Sequence, residues 1–572
     1  MGDGAKGMRR GLTRYGDEGF ALYLRKAFIK ALGYSEDALD RPVVGIADTS
    51  SGYNACHATV PRIVEAVERG VLMAGGLPVS FPTISLHESF SWPTSMYLRN
   101  LMAMDTEEMI RAQPMDAAVL IGGCDKTVPA QLMAAASADI PAILVVTGPM
   151  LPGSHRGERL GACTDCRRLW ARFRSGDLDE SEVAAAGAQL VPTAGTCGVM
   201  GTASTMACLT EALGMMLPGG AAIPAVEAER LRHAEAAGAR AVALAEHGPT
   251  PGQILTPAAF ANALRVLLAV GGSTNALVHL AAVAGRLGIA IDYDAFDRLG
   301  REIPLLVDLK PSGRHYMDGL HRAGGLAPVL RALAPRLDLG CLTVTGRTLG
   351  EEIESLPPAW DQDVVRPLAD PLHEGGAIAV LRGNLAGDGA IIKQSAATPA
   401  LLRHSGRAVV FDSLDDLAAR IDAPDLAVEP SDVLVLRNAG PKGAPGMPEA
   451  GYVPIPRKLA QAGVTDMVRI SDARMSGTAF GTIVLHASPE AAAGGPLALV
   501  QDGDTIALDV PGRTLTLEVS EDELARRRAA WTPPVMGEGL TGFRRLYHDT
   551  VLQAPQGCDF DFQVRPVTAR TP

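Results

Sequence analysis

Residues 117–146, AAVLIGGCDKTVPAQLMAAASADIPAILVV, decide the fold. Positions 117–121 are a short apolar run closed by two glycines, which predicts a buried strand. A polar turn follows at 122–127, then a helix across 129–137, then a second apolar strand at 142–146. Strand, loop, helix and strand in succession predict a parallel sheet covered by helices. The turn sets Cys124, Asp125 and Lys126 side by side. Thiolate, carboxylate and ammonium have little reason to share an ordinary loop, so the trio is a candidate corner of a metal site.

Outward from this stretch the scheme recurs. Residues 43–47 (VVGIA) read as a strand, followed by the polar loop DTSSGYNACHATV and a helix from about Pro61. GTCGVMGTASTMACLTEALGMMLPGG, from Gly195, reads as a glycine-rich loop opening into a helix that stops at Pro218. The texture changes over 357–377, which carry four prolines and little periodicity. The chain therefore divides into an N-terminal α/β domain, 1–370, and a C-terminal β-barrel-like domain, 371–572. The second is marked by short strands at GAIAVLRGN, AVVF, DVLVLRN, DTIALDV and RTLTLEVS.

A chain of 572 residues is too long for one core, and 20% charged with 4% aromatic residues suits a turn-rich α/β enzyme. The net charge of -12, with no basic tract, excludes a nucleic-acid binder. No signal peptide opens the chain and no run reaches the ~18 apolar residues of a membrane helix, so a cytoplasmic protein without membrane contact is expected. Eight cysteines are too sparse for a disulfide scaffold and remain available to metal.

Cys56, Cys124 and Cys197 each lie in a small-residue loop near a predicted strand end or helix start, where parallel sheets gather ligands. The alternative is three buried structural thiols. Three thiolates are one short of the usual iron–sulfur shell and leave an iron position open, which favours a Lewis acid over an electron carrier. Cys163 and Cys166 form a lone CxxC, read as structural or redox-silent, and Cys208 reads as core. Glu88, Asp125 and Glu449 offer hard oxygens that suit Mg²⁺, although singly each could be a surface or capping group. Ser476, in an MSGT turn, is either a cap or, facing a metal, a base. His57 reads as packing beside Cys56.

The ordered set GIADTSSGYNACH, SLHESFSWPTSM, GGCDKTVPAQLMAAAS, GTCGVMGTASTMA, VGGSTNALVHL, PSGRHYMDGLHRAGG, LRGNLAGDGAIIK, RNAGPKGAPGMPE and ISDARMSGTAFG resembles one family over nearly the whole chain. It is that of the iron–sulfur dihydroxy-acid and sugar-acid dehydratases (IlvD/Edd). The resemblance implies a 2Fe–2S cluster on Cys56, Cys124 and Cys197. It implies Mg²⁺ on Glu88, Asp125 and Glu449, joined by Lys126 once carbamylated. It makes Ser476 the base, and puts Thr478 where the family contacts the substrate carboxylate. The implied reaction removes water from a 2,3-dihydroxy acid, with Mg²⁺ on carboxylate and 2-hydroxyl and iron at the 3-hydroxyl, giving a 2-keto-3-deoxy acid. GTCGVMGTASTMA, HRGERLGACTDCRRLW and TVPAQLM look most like the pentonate branch, acting on acids such as L-arabinonate or D-xylonate. Dihydroxyisovalerate dehydration, a 4Fe–4S hydro-lyase and a non-catalytic iron–sulfur sensor stand as alternatives. A homodimer or homotetramer is the assembly the family implies.

Overall fold

The computed structural model describes residues 6–534, 537 and 539–572. Its N-terminal region is built on four parallel strands, β1 Val43–Asp48, β2 Leu77–Pro82, β3 Ala117–Gly122 and β4 Ala142–Val146, in the order β2–β1–β3–β4. Val44 lies opposite both Pro78 and Ala117, and Ile121 opposite Val145. Strands β3 and β4 are buried along their whole length, which is why they read as unbroken apolar runs. The order reverses between β1 and β3, so the crevice beyond their carboxyl ends is the switch point of the sheet.

The helices used below are α1 Val60–Met73, α2 Ser95–Ala112, α3 Thr127–Ala138, α4 Thr164–Ser175, α5 Thr202–Ala212, α6 Ala228–His247, α7 Asn275–Gly285 and α8 Gly542–Thr550. In α1 the buried positions Val60, Ile63, Val64, Val67 and Val71 repeat at helical spacing. Gly70 lets α6 approach closely, since a Cβ there would lie 1.9 Å from the Glu235 carbonyl oxygen. The α5 helix closes at Ala212, earlier than the sequence predicts, and Leu213–Met216 continue as buried turns.

The C-terminal region is a closed eight-stranded barrel. Its strands are β5 Ala379–Gly383, β6 Ala386–Ile392, β7 Arg403–Phe411, β8 Val433–Leu436, β9 Arg469–Ser471, β10 Ile483–Ser488, β11 Thr505–Asp509 and β12 Thr514–Leu517. They run in the order β7–β8–β9–β10–β6–β5–β12–β11. Four neighbours, β7 to β10, are parallel to one another. Leu381, Ile392, Val433, Ile470, Val484, Ile506 and Leu515 fill the interior. Five of the strands coincide with the sequence expectation. The other three, β6, β9 and β10, were not expected; β6 contains two glycines and an aspartate, and β9 has only three residues. No helix among the described residues is long and apolar enough to cross a membrane.

Beyond the barrel the chain returns to the first region. Arg286 and Asp559, both fully buried, pair at 2.7 Å, and Ala569–Arg570 add a short strand to Ile289–Ala290. Tyr547 on α8 accepts a hydrogen bond at its hydroxyl from the Gly446 amide, 3.0 Å away, behind the turn that carries Glu449.

Candidate active site at the switch point

The loops after β1 and β3 flank the switch point, and they carry Cys56 and Cys124. The second loop is shaped by its glycines: a Cβ on Gly123 would meet Thr147 Oγ1 at 1.8 Å. His57 fixes the loop from below. Its Nε2 accepts from the amides of Gly123 and Cys124, each at 3.0 Å, so Nδ1 carries the proton toward the Thr49 carbonyl at 2.9 Å. Burial, opposed by that carbonyl, holds His57 down to about 4, in the neutral form this arrangement requires.

Glu88, Asp125 and Glu449 come from three different segments, yet each offers an oxygen within 4.8 Å of the others. Glu88 follows β2, Asp125 follows β3, and Glu449 opens a turn between β8 and β9. Two buried cations share the pocket. Lys126 Nζ lies 2.5 Å from Asp125 Oδ2 and 3.7 Å from Glu88 Oε2. Arg474 reaches Glu449 at 2.5 Å, Glu88 at 3.1 Å and the Thr94 hydroxyl at 2.7 Å. Thr94 and Ser95, at the start of α2, also donate to Glu88. Burial pushes Glu88 upward, but Arg474, Lys126 and the two hydroxyls overcome it and hold the carboxyl far below its usual range. Burial wins at Glu449 and raises it. Three carboxylates converging on one point, with hydroxyls behind, fit a hard divalent cation.

The thiols meet in two pairs beside this pocket. The neighbouring Cys124 thiol, with help from His87, holds Cys56 down to about 6, while Cys124 itself is raised. Cys163 Sγ lies 3.4 Å from Cys197 Sγ. Cys124 Sγ is 3.6 Å from Asp125 Oδ1, so one residue step joins the sulfur and oxygen pockets. A converging soft-donor set is what an iron–sulfur cluster requires. Cys208 is fully buried in α5, as expected of a core residue.

Ser476 lies in the loop between β9 and β10. Its hydroxyl is 2.8 Å from the Thr478 hydroxyl. The loop is anchored on one side by Arg474 and on the other by Thr164 at the start of α4, whose hydroxyl donates to the Thr478 carbonyl at 2.9 Å. Gly477 packs against Ser273 and Thr202.

Five participants escaped the sequence reading. Arg474 stood two residues before Ser476 and His87 beside Glu88, but nothing in an isolated sequence marks either as facing the pocket. Thr94 and Ser95 carried only helix-start signals. Cys163, set aside as part of a lone CxxC, touches Cys197.

Comparison with known proteins completes the assignment. The model described as dihydroxy-acid/6-phosphogluconate dehydratase N-terminal matches residues 41–352, and its C-terminal counterpart matches 363–558. An L-arabonate dehydratase of Azospirillum brasilense is 48% identical over 96% of each chain. A 6-deoxy-6-sulfo-D-gluconate dehydratase of Pseudomonas putida is 46% identical over 92% of this chain and 91% of its own. A dihydroxy-acid dehydratase of Methanothrix thermoacetophila is 40% identical over 94% of this chain and 98% of its own. Matched by both halves of the family and by relatives over nearly its full length, the chain belongs to the dihydroxy-acid/6-phosphogluconate dehydratases, a family of iron–sulfur hydro-lyases.

Proposed function

We propose that this enzyme dehydrates an aldonate, of the L-arabinonate or D-xylonate kind, to its 2-keto-3-deoxy acid. The reading rests above all on the three carboxylates of Glu88, Asp125 and Glu449 meeting beside the thiols. The greater identity to relatives named for sugar acids than to the dihydroxy-acid dehydratase favours the aldonate. In this reading Cys56, Cys124 and Cys197 hold a 2Fe–2S cluster, and the three carboxylates hold Mg²⁺. Bound there, the two groups supply Lewis acidity toward the departing 3-hydroxyl and toward the carboxylate and 2-hydroxyl.

The chain's own residues do the rest. Ser476 Oγ, ionised, takes the proton from C2 as hydroxide leaves C3, and the enol so formed tautomerises to the keto acid. Thr478, 2.8 Å away, stabilises the Ser476 alkoxide by hydrogen bonding and faces the substrate carboxylate. Arg474 ties this loop to Glu88 and Glu449, so the base and the cation site move as one body.

Lys126 fits the reading once carbamylated. Three carboxylates against one ammonium and one guanidinium leave one net negative charge. Exchanging the ammonium for a carbamate while adding a divalent cation leaves the same charge, so modification and Mg²⁺ uptake balance one another.

The test of function is a keto-acid assay over arabinonate, xylonate, gluconate and dihydroxyisovalerate. Turnover restricted to dihydroxyisovalerate overturns the aldonate reading. Ser476→Ala is expected to keep the cluster's visible absorbance and lose at least ~10²–10⁴-fold in kcat. An undiminished rate removes Ser476 from the mechanism.

A further inference from the structure

Three sulfurs stand in succession from the cluster pocket to the surface. Cys197 touches Cys163 at 3.4 Å, and Cys166 follows three residues after Cys163, in the first turn of α4. Cys166 also borders a cavity of about 800 Å³ between α4 and the barrel, lined by Arg167, Trp170, Tyr452 and Phe480. Cys56 and Cys124 are only 7% and 3% exposed. All five are free thiols.

We propose that Cys163 and Cys166 form a thiol–disulfide relay that guards Cys197 whenever the chain lacks its cluster. The proposal rests on Cys197 being a cluster ligand. With the cluster gone, Cys197 is a free thiol exposed to oxidation. The oxidant is a small disulfide of the oxidised glutathione class, entering by the cavity. Its S–S bond is attacked by the Cys166 sulfur, whose proton passes to the departing sulfur, which leaves a mixed disulfide and one small thiol. Cys163 then attacks the Cys166 sulfur and expels the second small thiol, forming Cys163–Cys166. Cys197 attacks Cys163, Cys166 departs as thiolate, and the disulfide now joins Cys163 to Cys197. Each step breaks one S–S bond and makes one. In sum two protein thiols lose two electrons and two protons, and the small disulfide becomes two thiols.

The two sulfurs, 3.4 Å apart, must close to the ~2.05 Å of a bond. A sulfur held in a disulfide cannot climb to the irreversible sulfinic acid. A dithiol reductant working back through Cys166 returns Cys197 for a new cluster.

The experiment uses the full chain, stripped of metal by a chelator without oxygen and treated with oxidised glutathione. Free thiols are alkylated and the peptides read by mass spectrometry. Wild type is expected to show Cys163 crosslinked to Cys197 or Cys166, and Cys166→Ser, lacking the entry sulfur, neither link; a Cys163–Cys197 link formed equally in Cys166→Ser overturns the relay order. A parallel sample is challenged with peroxide, reduced, and rebuilt with ferrous iron and sulfide. Wild type is expected to regain most of its cluster absorbance, and Cys163→Ser several-fold less, with Cys197 found as sulfinic acid. Wild-type Cys163 recovered only as alkylated thiol overturns the relay, as does equal rebuilding of the two proteins. Should Cys163→Ser fail to fold, the wild-type crosslink decides alone. Unchallenged wild type that takes up no iron and sulfide defeats the ligand reading of Cys197, while the crosslink still judges the relay.

Discussion

Arg474 is the residue on which both halves of the site depend. Its guanidinium is buried and divides its bonds between Glu88 from the sheet region and Glu449 from the barrel. Removing one partner of a buried ion pair strands the other charge, at a cost of about 3–5 kcal/mol. Arg474→Met is therefore expected to lower the denaturant midpoint strongly in a chelator. Saturating Mg²⁺ is expected to recover part of the loss, because the dication neutralises the same carboxylates. Equal losses with and without Mg²⁺ count against a cation site at Glu88, Asp125 and Glu449. Arg474 also marks the limit of what the sequence shows at this scale. Cysteines and acids announce their chemistry by type, and the glycines of GGCDKT announce a tight turn. An arginine announces nothing until the fold shows whether it meets solvent or a buried carboxylate.

Among the elements, strands with uninterrupted apolar runs were legible, and short strands that exist only because neighbours supply their hydrogen bonds were not. Strand β3 carries its own signal in AAVLI. Strand β9 is three residues long and is held by β8 and β10 on its two sides. The segment after β6 holds an oddity of similar origin. Lys393 is fully buried with no hydrogen-bond partner for its amine, and burial pushes it down to about 7. A depressed amine contributes stability that is complete only above its unfolded value of about 10.4 and is lost as pH falls toward 7. Lys393→Met is expected to raise stability at pH 7 by ~1–4 kcal/mol. The advantage should shrink as pH rises toward 10, read from urea unfolding of both proteins. A gap that does not change with pH would show that the amine finds a partner.

For the whole molecule, the segment after the barrel is the tie. Arg286 and Asp559 are both 0% exposed, and Arg99 donates to the Gly557 and Cys558 carbonyls at 2.8 and 3.1 Å. Asp559→Ala leaves Arg286 with Glu107 at 3.2 Å as its remaining carboxylate. A loss on the order of 3 kcal/mol is expected, with faster proteolysis of the last thirty or so residues. Asp40→Ala, which breaks the exposed Arg9–Asp40 pair, should change stability by less than about 1 kcal/mol. Comparable losses from the two variants remove the tie. The return of the chain to its first region was not legible in the sequence, because a tail folding back leaves no periodicity of its own.

The site draws its thiols from the first two hundred residues and the Ser476 hydroxyl from far along the chain, so the order of synthesis becomes a clock. Roughly 280 residues separate Cys197 from Ser476. At about 5–20 residues per second, the sulfur loops exist for ~15–60 s before the loop bearing Ser476 leaves the ribosome. The segment that ties the two regions together, from Gly542 onward, emerges only after the whole barrel. A nascent chain therefore presents the three cysteine loops to solvent well before the barrel residues that flank them in the folded molecule.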